Sequence, residues 1–125
     1  LYRKECDFMK IDGSIFFLGC HSLEKINEFY RDFLGLELFK DQGSCRIYSV
    51  PSGGMIGFCE HLPVEAGMFS PIVTFLTEFV DDFYEKALRL EMSPNKPSVN
   101  ERFGIYHFFL KDPDGHRVEI QKFLD

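Results

Sequence analysis

The sequence predicts an α+β domain built from two tandem β-α-β-β-β modules. Three observations carry this. Phe29–Leu38 (FYRDFLGLEL) returns 54 residues later as Phe83–Met92 (FYEKALRLEM), with five of ten positions identical. Each copy follows a short apolar run of strand character, Ser14–Cys20 (SIFFLGC) in the first case and Pro71–Thr77 (PIVTFLT) in the second. Each copy is followed by short alternating segments separated by turn residues.

In the first module, spanning about residues 13–61, Ser22 is placed to cap a helix, with Glu24 in its first turn. Ile26, Phe29, Tyr30, Phe33 and Leu34 then recur at helical spacing, and Gly35 stands where a left-handed C-terminal cap is wanted. Strands are expected over Glu37–Lys40, Ser44–Val50 and Gly54–His61, with Pro51-Ser52-Gly53-Gly54 turning the last hairpin. Leu62–Phe69 reads as a linker.

The second module, about residues 70–123, repeats the order. Thr77 is the expected cap, and Val80, Phe83, Ala87 and Leu88 form the apolar stripe. Strands are expected over Glu91–Ser93, Gly104–Lys111 and His116–Phe123, with Pro94–Arg102 a polar loop. Asp112-Pro113-Asp114-Gly115 joins the last two strands: proline presets φ at the second turn position and glycine accepts a positive φ at the end. A doubly wound parallel sheet is disfavoured, because only two helices accompany about eight strands and no glycine-rich phosphate fingerprint follows either first strand.

The chain has 125 residues, 45% hydrophobic and 27% charged, which suits one globular domain. Residues 1–9 read as an N-terminal extension to a domain over 10–125, with Met9 a candidate native start. Fifteen phenylalanines and no tryptophan suit a large apolar core or an apolar-walled cavity. A net charge of −6 argues against a nucleic-acid partner, which needs a basic footprint. No segment approaches the ~20 apolar residues of a membrane-spanning helix, and no signal-peptide pattern opens the chain. Cys6, Cys20, Cys45 and Cys59 show no Cys-x-x-Cys spacing; Cys20, Cys45 and Cys59 sit in or beside apolar stretches, and the simplest expectation is buried free thiols in a reducing cytoplasm.

The FY-x-x-x-LGL element after an apolar strand, with its second half-copy and the terminal Phe109–Ile120 segment (FLKDPDGHRVEI), resembles the glyoxalase/bleomycin-resistance/extradiol-dioxygenase group, the vicinal oxygen chelate superfamily. The resemblance spans about Lys10 to Phe123. It implies a cupped, eight-stranded mixed sheet, commonly in a homodimer, whose cavity in many members holds one divalent metal that the substrate chelates. The metal-ligand positions fall here on Ile15, Ile72, Gly57 and Glu119. Only Glu119 offers a donor, and one carboxylate does not hold a catalytic cation alone. The expectation is a small-molecule binding protein without the usual metal site. The alternative is a lyase, isomerase or dioxygenase using Glu119 with His107, or with a relocated divalent metal. A third reading, a regulatory or interaction domain, predicts a filled cavity.

Among individual residues, Arg117, Glu119 and Gln121 alternate with Val118 and Ile120. If the apolar pair packs on the helices, Glu119 faces the cup; the plainer reading is a solvated charge pattern. His107 lies on the neighbouring strand with Phe109 on its face, so a His–Glu pair suited to acid–base work is one reading and a structural histidine the other. Arg46 and Tyr48 share one strand face and are candidate ligand contacts. Phe17, with Phe58, Phe75 and Phe109, is a core or cavity-wall candidate, Phe17 and Phe109 being preferred for the wall. His21 and His116, beside a helix start and a turn, are expected to face solvent. Cys59-Glu60-His61 is suggestive but is no nucleophile–base pair by spacing alone.

Overall fold

The computed structural model describes residues 9–124, so the expected extension falls outside it apart from Met9. In the first module, β1 (Phe16–Gly19) leads into α1 (Leu23–Asn27), which continues as a π-helical turn (Glu28–Phe33). Strands β2 (Glu37–Asp41), β3 (Cys45–Ser49) and β4 (Met55–Cys59) follow. The second module runs β5 (Ile72–Leu76), α2 (Val80–Arg89), β6 (Ser98–Asn100), β7 (Ile105–Lys111) and β8 (Arg117–Phe123). Each module forms its own four-stranded mixed sheet, ordered β1-β4-β3-β2 and β5-β8-β7-β6. In both, the first strand is parallel to the last and the other pairings are antiparallel. The eight strands are thus two hydrogen-bonded sheets, with β1 and β5 at the edges.

Local chemistry explains the helix boundaries. Ser22 is extended and its hydroxyl accepts from the Lys25 N–H, closing the first turn of α1. Gly35 takes φ 80°, and the Gly35 and Leu36 N–H groups reach back to the carbonyls of Arg31 and Tyr30. The π turn brings Phe29, Tyr30 and Phe33 all into the core. Thr77 stands two residues before the cap position and not at it. Its hydroxyl accepts from the Phe79 N–H, and Phe79 occupies the cap position of α2 without a side-chain bond of its own. Leu88 is 49% exposed and leaves the expected stripe, and Tyr84 packs instead, edge-on to Phe108.

Two strand expectations change. Glu91–Ser93 is not a strand: Glu91 and Ser93 adopt φ of 56° and 54°, which no strand uses. The second strand of the module lies instead at Ser98–Asn100, inside the segment expected as a polar loop, where it pairs with β7. The Asp112–Gly115 turn is as expected, with Gly115 at φ 87° and its N–H donating to the Asp112 carbonyl.

Both helices lie on the same core. Ile26, Tyr30, Phe33, Tyr48 and Phe58 from the first module and Val80, Ala87, Phe108, Val118 and Ile120 from the second form one continuous buried cluster. Phe33 meets Phe83 edge-on at 5.8 Å. Polar ties cross the same boundary. The Tyr30 hydroxyl donates to Asp112 at 2.8 Å, and the His116 ring Nε2 sits 2.8 Å from the Gly19 carbonyl. His116 is therefore only 2% exposed, contrary to the solvent-facing expectation, because this backbone acceptor satisfies it in the interior. His21 is exposed, as expected.

Two of the cysteines differ from expectation, while Cys6 lies outside the described residues. Cys45 and Cys59 are directly opposite one another on β3 and β4 and are joined by a disulfide. Sequence spacing does not report cross-strand register, which is what brings them together. Cys20 remains a free, buried thiol, and burial first, then the carboxylates of Asp114, Glu60 and Asp112, pushes its pKa up to about 11.

Candidate functional site

Each sheet has one face on the helices and one open face. On β8, Val118 and Ile120 are fully buried against the helices, which turns Arg117, Glu119 and Gln121 to the open face. Glu119 is nonetheless only 8% exposed. Its carboxylate is held from both sides: the Thr74 hydroxyl on β5 donates to Oε1 at 2.8 Å, and His107 Nδ1 on β7 lies 2.6 Å from Oε2. The His107 ring in turn meets Phe109 edge-on at 5.2 Å. The open face of the second sheet therefore carries one oriented carboxylate–imidazole pair, one of the two arrangements that the strand alternation leaves open.

On the first sheet the equivalent register pairs Phe17 with Gly57, just as Thr74 pairs with Glu119 on the second. A side chain at Gly57 would begin 2.5 Å from the Phe17 ring, so the ring occupies the space a ligand-bearing side chain would need. The residues paired with Gly57 and Glu119 are thus Phe17 and Thr74, two positions after the Ile15 and Ile72 counted from the helices. The revised quartet, Phe17, Gly57, Thr74 and Glu119, still offers one carboxylate and one hydroxyl, and both are already bonded to each other. This donor set does not suit the divalent metal of the family pattern.

Arg46 and Tyr48 do not join this site. Both face the helices: Tyr48 is fully buried with its hydroxyl donating to Asn27 at 2.9 Å, and Arg46 reaches the Leu23 carbonyl and Asp41. Their shared face is the core face, because each finds a polar partner at the helix side and buries its apolar part there. Arg117 lies on the open face and donates to the Ser70 carbonyl, leaving its Nε without a hydrogen-bond partner among the described residues.

Two concavities flank Ile72. The larger, about 580 Å³, lies between β1, β5 and the β3–β4 hairpin, with Phe17, Met55, Ile72 and Thr74 in its largely apolar wall. A second, of about 530 Å³, is lined by Asn95, Phe109, Lys111 and Arg117. Phe17 and Phe109 each line one of them. The Glu119–His107 pair is seated one strand further in than the larger cavity and meets it through Thr74.

The fold is shared by solved structures of low sequence identity. A fosfomycin resistance protein from Listeria monocytogenes superposes with a TM-score of 0.74 at 17% identity, covering 91% of this chain and 94% of its own. Lactoylglutathione lyase from Agrobacterium tumefaciens gives 0.68 at 21% identity, over 86% and 90% of the two chains. A glyoxalase/bleomycin resistance protein/dioxygenase from Alicyclobacillus acidocaldarius gives 0.70 at 16% identity, over 91% and 92%. Among curated proteins, none matches this chain in sequence. The family model for the Glyoxalase/Bleomycin resistance protein/Dioxygenase superfamily matches residues 15–120, nearly the whole chain. With the paired modules and the Glu119 position on the open face, this chain belongs to that superfamily.

Proposed function

We propose that residues 10–125 form a small-molecule binding protein that does not use the usual metal site of its superfamily. The observation that carries this reading is the Thr74–Glu119–His107 hydrogen-bonded set, which spends the remaining carboxylate on neighbouring side chains while Phe17 covers Gly57. The ligand would lie in the apolar concavities beside Ile72, with Phe17 and Phe109 as walls and Glu119 and His107 as polar contacts. Aromatic walls favour a planar ligand.

The proposal includes a homodimer in the cytoplasm. Large apolar side chains stand exposed on the edge strands, among them Phe16, Phe17, Ile72 and Leu76, where a second copy would cover them. No helix among the described residues is long and apolar enough to cross a membrane, and the charge of −6 disfavours nucleic acid.

A second reading is favoured by one observation. The 2.6 Å contact between His107 and Glu119 fits a carboxylate-oriented imidazole that exchanges protons with a bound substrate, as a lyase or isomerase requires. The deciding experiment combines metal analysis with titration of a planar anionic fluorophore. Saturable binding of the dye, weakened by Phe17→Ala, with no metal that depends on Glu119, supports the binding protein. About one transition metal per chain that is lost in Glu119→Ala but kept in Cys59→Ser overturns it.

A further inference from the structure

The open face of the first sheet carries a second cluster that the site above does not use. Cys45 and Cys59 are cross-strand partners whose Cα atoms are 4.1 Å apart. His61 follows β4 by two residues, and its Nδ1 lies 3.8 Å from the Cys45 sulfur. The three donor atoms all lie within 4.8 Å of one another. Cys45 and Cys59 are 8% and 3% exposed, whereas His61 is exposed, so two sheltered sulfurs stand beneath a nitrogen that solvent can reach.

Two thiolates and a neutral imidazole form the sulfur–nitrogen donor set that selects zinc over calcium or magnesium. Bond lengths of about 2.3 Å to sulfur and 2.0–2.1 Å to nitrogen put tetrahedral donors roughly 3.5–3.8 Å apart. The Cys45–His61 separation already fits. On reduction the two sulfurs must part by side-chain rotation, and Cys59 and His61, whose donor atoms lie within 4.8 Å, must settle into the same range. Three protein donors leave a fourth position open. Cys20 is not part of the cluster: it belongs to the core on the other side of the sheet.

We propose that Cys45, Cys59 and His61 form a redox-gated zinc site, closed as the disulfide and opened by reduction. In the opening step a dithiol gives two electrons and two protons to the Cys45–Cys59 bond. The protein gains two thiols and the reductant becomes a disulfide. Zinc binding then releases both thiol protons, leaving Zn²⁺ bound to two thiolates and the neutral His61 ring, with no net charge. None of these residues belongs to the Glu119–His107 pair, so this inference stands or falls apart from the ligand-binding reading.

The test is zinc titration of the full chain against a chromophoric chelator, before and after reduction by a dithiol that is then removed without air. Reduced protein should bind one Zn²⁺ per chain, and oxidised protein none. Cobalt in place of zinc should give a near-ultraviolet thiolate-to-metal band. Cys59→Ser should weaken binding about a hundredfold and the surface change His61→Ala about tenfold, while Glu119→Gln leaves it unchanged. His61→Ala keeps the disulfide, so it reports on the site even if the cysteine variants fold poorly. Equal binding by both redox forms, no binding by the reduced form, a cobalt complex without the thiolate band, or loss of binding in Glu119→Gln would overturn the proposal.

Discussion

The ring of Phe17 on β1 lies over Gly57 on β4, 2.5 Å from where a side chain at 57 would begin. A Gly57→Ala substitution therefore forces the ring off the sheet. Phe17 is 44% exposed and free to swing, so the stability cost should sit near the low end of overpacking, about 1 kcal/mol. A denaturant series on Gly57→Ala, Phe17→Ala and the double variant tests this, because the cost at 57 should vanish once the ring is gone. Costs that simply add would mean that the two residues do not share the space.

Thr74 is the other half of the same register. Its hydroxyl donates to the nearly buried Glu119 carboxylate. Thr74→Val keeps the β-branched shape and removes the donor, so the expected loss is about 1–2 kcal/mol by urea unfolding. Thr74→Ser should restore most of it. Dye binding should weaken in the valine variant, since Glu119 loses one of the two groups that orient it. Unchanged binding would separate Glu119 from the ligand.

How much of this was legible before the structure depended on range. Val118 and Ile120 against Glu119 is a two-residue alternation that any strand imposes, and it placed Glu119 correctly on the open face. Alternation also put Arg46 and Tyr48 on one face, but which face was decided by Asn27 and the Leu23 carbonyl, partners some twenty residues away. The Cys45–Cys59 pairing and the burial of His116 are likewise long-range. Strand β6 was hidden for a different reason: Ser98–Asn100 is short and polar, and it is held by one neighbour rather than by a buried face.

The proposed homodimer makes a prediction at the sheet edges. Phe16 is 76% exposed and Leu76 62%, both beside the 580 Å³ concavity. Phe16→Asp places a charge where an apolar partner would sit. Sedimentation should find two chains together in the parent protein and one in the variant, with the fold retained by circular dichroism. A parent protein that sediments as a single chain at micromolar concentration would sink the dimer.

The Tyr30–Asp112 bond gives stability a defined pH dependence. Burial is the largest influence on Asp112 and raises its pKa above 3.8, against the opposing pull of His116, the Tyr30 hydroxyl and two backbone N–H groups. Tyr30 is likewise raised well above 10, by burial first and then by the Asp112 charge and hydrogen bond. In both cases the folded chain holds its proton more tightly than the unfolded chain, so stability falls as pH rises through each window. For Asp112 that window opens near 3.8, and for Tyr30 it opens near 10. Comparing urea midpoints of the parent protein and Asp112→Asn across the acid window isolates the first effect. The parent should lose stability relative to the variant as pH increases. Tyr30→Phe should lessen the alkaline decline, to which the raised Cys20 thiol also contributes, while leaving Asp112 one partner short, a cost of about 1–3 kcal/mol at neutral pH. A parent-minus-variant difference that rises with pH in the acid window would mean that the hydrogen bonds to Asp112, and not its burial, set its charge.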